Sequence, residues 1–345
     1  MEIKKKDLTY ELNEENRTAT VIKCVAHKTP FTIEIPNVVT CNGSVYPVIA
    51  IAGKAFKKCC SLEIITIPDG VTSIGGHAFK GCTSLKNIVI PDSVTSIGNG
   101  AFVDCYSLEN ITIPDSVEEI GIQAFAGCSS LKSITIPDNV TSIGEYTFGE
   151  CDNLESVNIP VSVTEIGDHA FQSCKSLESI NIPDGVIKIK EGAFLGCKSL
   201  KSITLSEGIT EIGAQAFWGC NNLESITIPD SVTCIEEYMF LGCNSLENIT
   251  IPNSITKIGR CAFQYCLNLV SITLPNSITK IEEKAFFECS SLKSITLSES
   301  ITEIDESWFD GCNNLTDIRI PSTEKAFPLW VGLMESRYVD IVNLV

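Results

Sequence analysis

Residues 101–121 read Ala-Phe-Val-Asp-Cys-Tyr-Ser-Leu-Glu-Asn-Ile-Thr-Ile-Pro-Asp-Ser-Val-Glu-Glu-Ile-Gly. Phe102, Cys105 and Leu108 fall three residues apart, which is the spacing of a helical turn too short to be a full α-helix. Ile111 and Ile113 then alternate with Asn110 and Thr112, the period of a strand. Pro114 has no N–H to give a ladder and ends that strand, and Asp115-Ser116 turns the chain. Val117 to Ile120 reads as a second short extended piece, after which Gly121 leads into the next turn.

The pattern repeats outward in both directions with a period of 23 residues. Phenylalanine recurs at that interval from Phe56 to Phe309, twelve copies without insertion or deletion. Each is followed three residues later by Cys, from Cys59 to Cys312, and three later again by Leu, from Leu62 to Leu315. Alanine precedes Phe in nine copies, with Thr147, Met239 and Trp308 in the others, and Pro closes the strand in ten, with Ser206 and Ser298 in the others. One repeat cannot bury its own apolar stripe, whereas stacked repeats bury a continuous row at every apolar position. Length alone points to two or three domains. The unbroken period points instead to an elongated α/β repeat whose twelve coils, about 4.8 Å apart on the strand side, span roughly 55–60 Å.

A bare terminal coil exposes core, so the ends must differ. Residues 1–50 lie off the pattern and read as an N-terminal cap: a hairpin around Asn13–Asn16 and one degenerate strand at Ile33-Glu34-Ile35. Residues 51–321 carry the repeats. Residues 322–345 read as a C-terminal cap, with a helical turn at Leu329–Met334 and a last strand within Tyr338–Val345.

The unit I-x-x-I-G-x-x-A-F-x-x-C-x-x-L-x-x-I-x-I-P resembles the BspA-type (Treponema-type) leucine-rich repeat, in register over roughly residues 51–321. Tyr46–Ile51, following the hairpin, also resembles that family's N-terminal cap. The resemblance implies a curved leucine-rich-repeat solenoid with a parallel β-sheet on its concave face. It further implies cell-surface or secreted proteins that adhere to host proteins. The sequence departs from leucine-rich repeats generally where many carry an Asn ladder, since Ser or Gly stands there (Ser93, Ser116, Ser231).

Composition excludes several classes. The net charge of −18 repels phosphate backbones, so a nucleic-acid partner is not expected. No stretch approaches 18 apolar residues, so no membrane insertion is expected, and Met1–Asp7 is not followed by the apolar run of a signal peptide. Only three histidines, His27, His77 and His169, are present. His77 and His169 occupy the same repeat position four coils apart, too far to cooperate. There is no nucleophile elbow, P-loop or dinucleotide fingerprint, so neither catalysis nor a cofactor is expected.

Seventeen cysteines raise metal, redox and disulfide chemistry. No paired C-x-x-C occurs, and twelve sit between Phe and Leu on the inward face, where a small buried hydrophobe belongs. Cys24 and Cys41, in the cap, are a candidate disulfide, while the ladder thiols favour a reducing or anaerobic habitat. An acidic row after the strands, including Asp69, Asp92, Asp115 and Asp138, fits turn formation better than Ca²⁺ binding.

Two surfaces are candidates for partner binding. The first is the outward strand face: Asn110, Thr112, Ser133, Thr135, Ser156, Asn158, Ser179, Asn181, Ser202, Thr204, Ser225 and Thr227, a broad hydroxyl- and amide-rich surface for a protein (host matrix or surface proteins among them) or a glycan. Its bland reading is a solvated sheet face. The second is an apolar stripe just after the ladder Phe, at Leu195, Trp218, Leu241 and Phe287, which is either an exposed association patch or satellite core. Alternatives to adhesion are a structural spacer and an intracellular interaction scaffold; oligomeric state is left open.

Overall fold

The computed structural model describes all residues from Met1 to Val345, packed as two compact units, Met1–Ser176 and Leu177–Val345. The boundary falls inside a repeat and not at either end of the array. Both units are stacks of near-identical coils, the leucine-rich-repeat solenoid architecture with parallel strands.

In the first unit, Glu2–Lys5, Leu8–Asn13 and Thr18–Cys24 form an antiparallel meander. Ser44–Ile51 lies parallel to Thr18–Cys24 and antiparallel to Val38–Cys41. Phe31–Glu34 lies parallel to Leu62–Thr66. The cap thereby offers a backbone edge to each of two strand rows. One row holds strands of three residues, such as Asn87–Val89, Asn110–Thr112 and Ser133–Thr135. The other holds strands of two, such as Ser73–Ile74, Ser96–Ile97 and Glu119–Ile120. Pairing is parallel and in step with the repeat: Asn110 faces Asn87, and Ile120 faces Ile97.

The second unit repeats the plan from Ser179–Asn181 to Ser294–Thr296. It closes with Asp317–Ile320 and Val342–Leu344, both parallel additions to the three-residue row. The helix Phe327–Met334 buries Leu329 and Leu333 completely, and Tyr338 packs edge-on against Phe309, the last ladder ring, at 5.6 Å. Pro328 at the helix start removes no intrahelical bond.

Inside each unit the ladder residues form continuous rows. Phe rings from Phe56 to Phe171 stack at 5.0–5.6 Å and those from Phe194 to Phe309 at 5.4–5.9 Å, within 20° of parallel. Each such side chain contributes roughly 1.5–3 kcal/mol by leaving water.

The segment between Phe and Leu keeps the three-residue bonds of the helical turn read from spacing, Cys82 N–H to the Phe79 carbonyl and Leu85 N–H to the Cys82 carbonyl at 3.0 Å, but does not run on as a helix. Among the repeats only Glu306–Phe309, leading up to the last ladder Phe, forms a 3₁₀ helix; in the other coils the backbone is a chain of tight turns. Residues two before and two after the ladder Phe take positive φ, as in His77 (56°) and Gly81 (73°) around Phe79, or Gln123 (58°) and Gly127 (74°) around Phe125. A left-handed residue interrupts a right-handed helix. The N–H groups freed by this are bonded between coils: His77, Phe79 and Gly81 donate to the carbonyls of Asn99, Ala101 and Val103 at 2.7–2.8 Å. Spacing by three satisfies either arrangement, so it does not distinguish them.

Candidate interaction surfaces

The twelve strand-face residues all project to solvent, flanking a central residue turned inward. Register places Ser133 beside Ser156 and Thr135 beside Asn158, and in the second unit Ser179 beside Ser202 and Asn181 beside Thr204. Neighbours in a row are therefore one strand spacing apart, about 4.8 Å. In the second unit a shallow hollow of about 620 Å³ lies over this face, lined by Ser225, Thr227, Asn248, Thr250, Ser271 and Thr273 among others. Beside the rows, Lys86 pairs with Glu63 at 3.4 Å and Lys201 with Glu178 at 3.0 Å. Such exposed pairs are worth well under about 1 kcal/mol, and leave the face free to exchange partners.

The apolar stripe is broken and mostly half-covered. Leu195, Leu241 and Phe287 are partly exposed, Trp218 is 38 % exposed, and Gln264 stands between Leu241 and Phe287. Trp218 stacks on Tyr238 at 6.0 Å, over which Arg260 lies at 5.9 Å. Phe287 meets the edge of Tyr265 at 5.9 Å and Lys284 at 5.7 Å. The structure thus groups the stripe with aromatic rings and cations from adjoining turns.

Every cysteine is a free thiol. Ala19 sits opposite Val48 in the cap, so Cys24 and Cys41 lie at opposite ends of that sheet. About nine residues of strand, near 30 Å, separate them, far beyond disulfide reach. The Cys24 thiol instead donates to the Val25 carbonyl at 3.5 Å, and the neighbouring thiol of Cys59, the first ladder cysteine, together with burial raises its pKa. No group of three or more His, Cys, Asp or Glu side chains converges as a metal site.

The ladder thiols are more than filler. Cys105 Sγ donates to the Phe79 carbonyl at 3.3 Å, Cys128 to Phe102 at 3.3 Å, and Cys151 to Phe125 at 3.3 Å. The same carbonyl accepts the N–H of its own coil's cysteine, as Phe79 does from Cys82 at 3.0 Å; a carbonyl has two lone pairs for two donors. Burial pushes the Cys105 and Cys151 thiols up to about 12. The turn serines act similarly: Ser93, Ser116 and Ser162 donate to the Val71, Val94 and Val140 carbonyls at 2.6–2.8 Å.

These coils, with their Phe–Cys–Leu rows and two parallel strand rows, define a leucine-rich-repeat solenoid. The pattern of the BspA type leucine rich repeat region matches residues 49–178, 164–266 and 211–329, and the chain belongs to that family. It is similar to a leucine-rich repeat protein of Bacteroides ovatus, with 30% identity over 99% of both chains and a TM-score of 0.71. A leucine rich cell surface protein of Faecalibacterium prausnitzii is 33% identical over 95% of this chain and 96% of its own, with a TM-score of 0.64. The pneumococcal vaccine antigen PcpA shares the fold at 21% identity, covering 93% of this chain and 87% of its own, with a TM-score of 0.59. No curated protein matches. No helix is long and apolar enough to cross a membrane.

Proposed function

We propose that this protein is a non-enzymatic recognition scaffold that docks a partner protein on its three-residue strand face, in the manner of a surface or secreted adhesin. The supporting observation is the in-register double row of exposed Ser, Asn and Thr side chains on a hydrogen-bonded sheet. Such a surface is pre-ordered, so binding there loses little conformational entropy, and each side chain both donates and accepts. The F. prausnitzii relative's description as a cell surface protein supports the location. A second reading, an interaction scaffold in a reducing compartment, is favoured by the free state of all 17 cysteines.

Immobilised protein is exposed to a mixture of host extracellular proteins, with Thr204→Arg/Thr227→Arg as the face variant. Retention of a partner by the wild type and at least a tenfold loss in the variant is expected. Equal retention by both sinks the strand face as the docking surface.

A further inference from the structure

In the second unit the two-residue strands Cys234–Ile235, Lys257–Ile258 and Lys280–Ile281 pair in parallel. Two bonds flank each pairing. The Thr256 and Gly259 N–H groups donate to the Thr233 and Ile235 carbonyls at 3.0 and 2.7 Å, and Thr279 and Glu282 donate to Thr256 and Ile258 at 3.0 and 2.9 Å. The following coil breaks the series. Thr302 and Asp305 stand one period beyond Thr279 and Glu282 but donate neither bond, and Glu303–Ile304 forms no strand. Asp305 instead caps the 3₁₀ turn, accepting from the Ser307 N–H at 2.8 Å. The Thr279 and Ile281 carbonyls are left as the end of the row, without a backbone donor.

A cleft of about 690 Å³ opens at this break, with Ile281, Ile304 and Trp308 among its walls. Trp308 is 1 % exposed, and its indole N–H is buried without an acceptor. Five carboxylates and two cations line the cleft, so it is net negative. Glu282 is held by Lys257 and Lys280 at 3.0 Å and Glu283 by Arg260 at 2.5 Å, whereas Glu303 and Glu306 line it with carboxylates outside these pairs, Arg337 donating to the Glu306 backbone carbonyl at 2.9 Å.

We propose that this cleft takes an extended, basic peptide segment of a partner protein by strand addition. Alternate peptide N–H groups meet the Thr279 and Ile281 carbonyls, a peptide carbonyl takes the Trp308 N–H, and a Lys or Arg side chain lies against Glu303 and Glu306. The buried, unpartnered Trp308 N–H carries a desolvation penalty that this occupant relieves, and the acidic rim rejects an acidic peptide. The site lies on the other strand row from the docking face proposed above and stands or falls separately from it.

The test uses the full chain and a fluorescein-labelled Lys-Val-Lys-Val-Lys-Val-Lys peptide at physiological salt, read by anisotropy. Two analogues carry N-methyl groups on all Val or on all Lys nitrogens. Strand addition uses one edge of the peptide, so one analogue binds at least tenfold more weakly while the other retains affinity. Glu303→Lys/Glu306→Lys, at exposed positions, binds at least tenfold more weakly with its unfolding curve unchanged, and Thr204→Arg/Thr227→Arg binds as wild type. Equal binding of both analogues, which is simple attraction to an acidic chain, overturns the proposal. So does binding indifferent to the Glu303/Glu306 variant.

Discussion

Cys151 shows what a single ladder position contributes. It is fully buried, fills the gap between the Phe and Leu rows, and donates its thiol to the Phe125 carbonyl. Cys151→Ala removes both the packing and the donor, and is expected to cost roughly 1–2 kcal/mol in urea unfolding. The sequence shows that the position is inward and small. It does not show the thiol's acceptor, because that carbonyl lies 26 residues back and is reached only once coils stack. The thiols also set an alkaline limit. Burial raises the folded pKa values of Cys105 and Cys151 above the ordinary value of 9.0, to about 12. The folded state therefore holds protons that the unfolded chain releases. Stability from this source is complete below pH 9 and is lost as pH climbs toward 12, by up to about 1.4 kcal/mol per pH unit for each such thiol. The urea midpoint should fall between pH 8.5 and 10.5; a flat or rising midpoint contradicts the account. Iodoacetamide should label exposed Cys60 in the native protein and reach the ladder only after unfolding.

At the scale of the element, the strands and the three-residue turn spacing were legible and the left-handed backbone around the turn was not. Ile111 and Ile113 are buried on either side of exposed Thr112, as alternation requires. The Phe-to-Leu segment has the spacing of a helical turn, yet residues such as Gln123, His169 and Tyr238 adopt left-handed backbone that no local propensity favours. Stacking decides it: Phe125 N–H bonds to Thr147 of the neighbouring coil at 2.9 Å, while Ala126 and Cys128 keep bonds within the coil to Gln123 and Phe125 at 3.1 Å, so the two kinds alternate. The ring stack is where this coupling is concentrated. Phe125 sits 5.4 Å from Phe102 and 5.6 Å from Phe148. Phe125→Ala should cost about 3–5 kcal/mol, and hydrogen exchange should rise first in the coils on either side, since repeats contact only their neighbours. Uniform loss of protection throughout its unit would contradict that local coupling. The cleft beside Trp308 was hidden for a related reason. Glu303 and Ile304 keep the repeat's spacing, and only the backbone shows that the coil leaves the row.

For the whole molecule, a charge of −18 favours basic partners and makes long-range attraction to them sensitive to salt. The partner itself is not legible, because every coil presents nearly the same Ser, Asn and Thr atoms and no aromatic anchor marks a centre on the strand face. Once a partner is in hand, site-specific cross-linking tests the central claim most directly. A benzoyl-phenylalanine replaces Ser202 or Ser225 on the strand face, or Lys198, an exposed residue of the turn segment. Docking on the strand face predicts cross-links from the first two positions and none from Lys198. Cross-links from Lys198 alone would place the partner on the turns and contradict the account.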